Sequence, residues 1–76
     1  MTEADTIEDH VRLAEDAYSG MYDATSPSDA AARYSDAKEA LYSAIALALR
    51  LGHRERAAQL EQRLGEIKAV FRSQFS

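Results

Sequence analysis

The 76-residue chain has no cysteine, no tryptophan and a single proline, and its three glycines stand far apart. Without cysteine there is no disulfide framework, no thiol nucleophile and no thiolate metal site. Gly20, Gly52 and Gly65 are isolated, so no glycine-rich loop can cradle a phosphate. No apolar run approaches the roughly 18 residues of a membrane span. The first residues, TEADTIEDH, are acidic and lack the apolar core of a secretory signal. The expectation is a cytoplasmic protein, and the initial Met suggests a complete small protein or a piece cut from a larger one. Alternating β-branched runs and strand-turn-strand signals are also missing, which excludes sheet architectures.

What remains is helical. Hydrophobic residues make up 46% of the chain, many of them alanine, a strong helix former that adds little burial. Ser26, Pro27 and Asp29 form a helix-start signal: a hydroxyl acceptor, a residue whose missing N–H is harmless in the first turn, and a carboxylate able to complete a capping box. Gly52 supplies the left-handed stop. Between them, Ala30, Tyr34, Ala37, Leu41, Ile45 and Ala48 form one seam, with Tyr42, Leu49 and Leu51 beside it. Such a helix touches two neighbours, and its polar first half, with Arg33, Asp36, Lys38 and Glu39, projects past the core or bears a surface groove.

An earlier helix, capped by Asp5 or Thr6, carries Ile7, Val11, Ala14, Tyr18 and Met21, its stripe widened by Leu13, Ala17 and Tyr22. A later one carries Ala57, Leu60, Leu64, Ile67 and Phe71, with Val70 and Phe75 alongside. The fold expected is an all-α antiparallel three-helix bundle with helices near 6–22, 27–51 and 54–74, residues 1–5 frayed, and one domain over 1–76. The alternative arrangement leaves the first helix to pack on another copy. Gly20 is read as a packing glycine, and Gly65 as a tight crossing or an exposed weak point.

The net charge of −4 is unevenly spread: residues 1–40 carry ten acids and three bases, residues 41–76 three acids and six bases. This asymmetry signals solvation, internal complementarity or two faces for different partners. On the first helix, Glu8/Arg12 and Arg12/Asp16 read as four-residue ion pairs.

No catalytic constellation appears. His10 has no carboxylate or ligand partner at helical spacing, and the context for phosphotransfer is lacking there; His53 lies at a turn, so both read as surface or capping residues. Glu15 lacks the helical Glu-x-x-His pairing of bundle metal sites, and no zinc, hydrolase or dinucleotide motif is present. No catalytic residue, metal or cofactor is therefore expected. Arginines at 50, 54 and 56 suit nucleic-acid phosphates, but the acidic balance and interspersed glutamates disfavour Arg50, Arg54 and Arg56 as such a site. Protein recognition has the better case. Tyr22, Tyr34, Lys38, Tyr42 and Phe75 are the candidate partner-binding residues, Phe75 being the most plausible exposed or intersubunit anchor.

The run from Tyr34 to Ile45, YSDAKEALYSAI, resembles a helix of tetratricopeptide-like and microtubule-interacting-and-transport domains, in which a Tyr, an Ala three residues on, a Leu-Tyr pair and an Ala-Ile pair line packing surfaces. Ala57, Ala58, Leu60, Leu64 and Ile67 look like the return helix. The resemblance covers residues 31–71 and implies a peptide- or helix-binding scaffold without enzymatic activity. There is no second 34-residue repeat and no Trp-Leu-Gly-Tyr opening helix, which leaves a stand-alone domain. The expected function is a protein-interaction or assembly module, with self-association as the alternative and nucleic-acid binding a lesser one.

Overall fold

The computed structural model describes residues 3–75, with side chains from Ile7 to Phe75. Its three helices are α1 (Glu3–Tyr22), α2 (Pro27–Arg50) and α3 (Arg54–Gln74), and no strand occurs among the described residues. They form the expected antiparallel bundle. Residues 1 and 2, part of the stretch expected to fray, lie outside those described. Helix α1 begins at Glu3, ahead of the start expected at Asp5 or Thr6, which instead lie within its first turns.

The ends of α2 follow from local chemistry. Ser26 is extended, and its Oγ accepts the Asp29 N–H at 3.1 Å, with Pro27 in the first turn. The capping box is half made, because the Asp29 carboxylate faces Arg33 at 3.6 Å instead of reaching back. At the other end Leu51 is the C-cap and Gly52 takes φ +80°. The His53 N–H donates to the Ala48 carbonyl at 2.8 Å and the Gly52 N–H to Leu49 at 3.1 Å, the paired bonds of a Schellman turn. This turn sends α3 straight back along α2.

Helix α2 is central, as its two-sided apolar surface requires. Alanines at 14, 37, 44 and 48 are fully buried, so the helices meet through small side chains and a thin set of large ones. Ile7, Ala14 and Met21, spaced by seven, are the buried line of α1; Leu60, Leu64 and Ile67 are their counterparts on α3. Helix α1 packs on α2 of its own chain. The backbones of α1 and α3 scarcely approach one another. With extents of 38 × 23 × 12 Å, the bundle is flattened around α2.

The two ends of the bundle differ in kind. Ile7, Ile45, Leu47, Leu60 and Leu64 give an aliphatic core toward the α2–α3 turn. The other end is aromatic: Tyr34 stacks on Phe71 with ring centres 4.0 Å apart and planes 2° from parallel. Phe71 leads to Phe75 at 6.0 Å, Phe75 to Tyr22 at 5.3 Å, and Tyr22 to Tyr18 at 5.6 Å. This arc ties the last turn of α3 to α1 and α2, where aliphatic packing has run out.

Candidate functional site

The arc determines what each proposed binding residue can do. Tyr34 is half-buried against Phe71, with the Lys38 ammonium 4.4 Å from its ring centre. Phe75 is not an exposed anchor: it is half-buried between the rings of Tyr22 and Phe71. Tyr22 meets it edge-on yet keeps 52% of its surface exposed, and its hydroxyl lies 3.1 Å from that of Tyr18. The structure thus brings Tyr22, Tyr34, Lys38 and Phe75 to one end of the bundle. Their apolar surface is partly spent on holding it together.

Tyr42 stands apart. It lies one residue beyond the buried Leu41, and a step of about 100° around the helix turns it away from the core. Tyr42 is 50% exposed and Leu49, two turns on, is 54% exposed. The Lys68 ammonium of α3 sits 5.6 Å from the Tyr42 ring centre. Together they make an open apolar stripe along α2, with lysines at 38 and 68 at its margins.

A second apolar feature lies across α2. Helices α1 and α2 enclose a shallow groove of about 440 Å³, floored by Ala17 and Ala40 and walled by Leu13, Asp16, Asp36 and Glu39. Leu13 is 60% exposed, so it does not widen the buried stripe of α1. At six residues from Ile7 it stands about 120° away from the buried line. His10, Ser43 and Arg33 complete the lining. Arg33 closes one end by lying across Gly20, where an added Cβ would come within 3.2 Å of the arginine Cδ. What Gly20 leaves room for is thus a flexible side chain and not a neighbouring backbone. The polar first half of α2 bears this groove.

Two of the arginines are engaged across the bundle. Arg56 donates to both carboxylate oxygens of Glu8, at 2.7 and 3.0 Å, and to Gln59 at 3.3 Å. Arg63 likewise grips Glu15 and adds Glu66 at 3.1 Å. Glu8 therefore pairs across the bundle and not with Arg12, whose guanidinium lies 3.4 Å from Asp9. Arg50 and Arg54 are exposed at the α2–α3 turn. Part of the opposite charge of the two halves is thereby used inside the molecule. The carboxylates of Asp16, Asp36 and Glu39 make no ion pair among the described residues, and they leave the groove acidic.

His10 lies on the groove rim and His53 at the N-cap of α3, where its side chain makes no capping bond. No group of three or more potential metal ligands occurs among the described residues, and none of their helices is long and apolar enough to cross a membrane. Sequence periodicity missed the exposed Leu13 and the Lys68–Tyr42 contact. The signal for Leu13 was its offset from Ile7, Ala14 and Met21. Compared with family models, curated proteins and solved structures, the chain has no match.

Proposed function

We propose that this chain is a non-enzymatic, cytoplasmic protein-interaction or assembly module that binds a peptide or helix through an amphipathic surface on α2. The observation that supports this reading most is the Tyr42–Leu49 stripe. Two large side chains half open to solvent, about 10.5 Å apart along one helix face, have the spacing with which helices present anchors to one another. Neither is needed to cover the core, which Leu41 and Ile45 fill from the adjoining positions. The resemblance of residues 31–71 to peptide-binding helical domains points the same way.

Lys38 and Lys68 give the stripe a positive margin. Affinity capture should be run with the wild type beside Tyr42→Ser and Leu49→Ser. A protein retained by the wild type and lost with either variant, whose binding also slows amide exchange over residues 42–49, supports the reading. Capture indifferent to both substitutions refutes it.

A further inference from the structure

We propose that the Tyr42–Leu49 stripe of one copy docks into the α1–α2 groove of a second copy. This rests on reading the stripe as a docking surface, and it names the occupant.

The two surfaces are complementary in charge, apolarity and length. The groove carries Asp16, Asp36 and Glu39, whose carboxylates have no ion-pair partner among the described residues, while its own Arg33 is held by Asp29. The stripe is margined by Lys38 and Lys68, whose ammonium groups rest on aromatic rings and are bound to no carboxylate. Leu13 stands exposed on the groove wall above a floor of alanines, and Tyr42 and Leu49 stand exposed on the stripe. Along α2 the groove lining runs from Arg33 to Ser43, about 15 Å, which accommodates the stripe's 10.5 Å or so.

One copy cannot satisfy itself. Ser43 in the groove and Tyr42 on the stripe are consecutive residues of one helix, so the two surfaces face about 100° apart around α2. Association of unlike patches is heterologous, and each copy offers one donor and one acceptor surface. A 76-residue bundle built largely on alanine also gains by covering Leu13, Tyr42 and Leu49 in this way.

The test uses the full chain and two double variants, both at exposed positions and checked for helicity by circular dichroism. Asp36→Lys with Glu39→Lys removes the groove, and Tyr42→Ser with Leu49→Ser removes the stripe. Sedimentation velocity from micromolar to millimolar concentration at low salt should show the wild type associating, more weakly as salt rises, and each variant alone at least tenfold weaker. An equal mixture of the two variants should regain association, one contributing its stripe and the other its groove. A wild type monomeric at millimolar concentration, a mixture that stays monomeric, or a variant that associates like the wild type overturns the proposal. If the wild type is monomeric while capture still yields a Tyr42-dependent partner, only self-docking falls and the reading of the stripe stands.

Discussion

Arg63 holds Glu15 with two parallel hydrogen bonds, Nε at 2.9 Å from one carboxylate oxygen and Nη2 at 2.8 Å from the other. Seven residues earlier on each helix, Arg56 holds Glu8 differently, its Nη2 alone donating to both carboxylate oxygens at 2.7 and 3.0 Å. Because α1 and α3 run parallel, a heptad step preserves the register, and two Arg–Glu pairs, that of Arg63 forked, join helices whose backbones barely meet. Arg63 also lies 4.9 Å from the centre of the Tyr18 ring, so its guanidinium links the ion pairs to the aromatic arc.

The Arg63 hydrogen bonds hold the Glu15 carboxyl below its ordinary value of 4.5, against the opposing effect of partial burial. A carboxylate with a depressed folded pKa contributes stability that is complete above its unfolded value and is lost as pH falls through the folded one. Both side chains remain more than a third exposed, so solvent screening limits the pair to about 0.5–1 kcal/mol. Glu15→Gln should lower stability by about that amount at neutral pH and flatten the acid limb below pH 4.5. Urea denaturation across pH, with Arg63→Met to complete a double-mutant cycle, measures both.

Two glycines should respond to alanine with opposite signs. Gly65 is exposed within α3, and nothing lies within 4 Å of where a Cβ would stand. Gly65→Ala should stabilise by up to about 1 kcal/mol through helix propensity and a more restricted unfolded chain. Gly52 has equal space but φ +80°, so Gly52→Ala should cost about 1–2 kcal/mol. Thermal denaturation of the two variants side by side decides whether space or backbone conformation governs.

The helices were readable because the large buried residues other than Leu47 lie on the 3-4 repeats and the Ser26–Pro27 and Gly52 signals bracket α2. Periodicity records distance from the core, however, and not which neighbour fills each side. It could place Ile7, Ala14 and Met21 on one line without telling whether Leu13, a third of a turn away, meets α2 or water. Glu8 and Arg12 had the right local spacing to pair, yet Arg56, forty-eight residues away from Glu8, reaches both of its oxygens from Nη2. Phe75 sat near the chain end, where exposure is the natural expectation; the rings of Tyr22 and Phe71 hold it instead.

The stacked pair at the aromatic end should matter more to stability than its partial exposure suggests. Phe71 is the one ring that joins α2, through Tyr34, to Phe75 and thence to α1. A fully buried Phe→Ala costs about 3–5 kcal/mol, so half-buried Phe71→Ala should cost about 2–3. Near-ultraviolet circular dichroism should weaken as the tyrosines lose their fixed partner.

Tyr42 and Leu49 should behave in the opposite way. The Tyr42 ring and the Leu49 methyls are half open, while Leu41 and Ile45 beside them are buried in the core shared by the three helices. Tyr42→Ser and Leu49→Ser should each change stability by less than about 0.5 kcal/mol, as surface substitutions away from caps and core do. Chemical denaturation would detect a larger loss, which would mean that the stripe packs for the bundle and not for a partner. Near-neutral stability combined with lost association would separate binding from folding on a single face of α2.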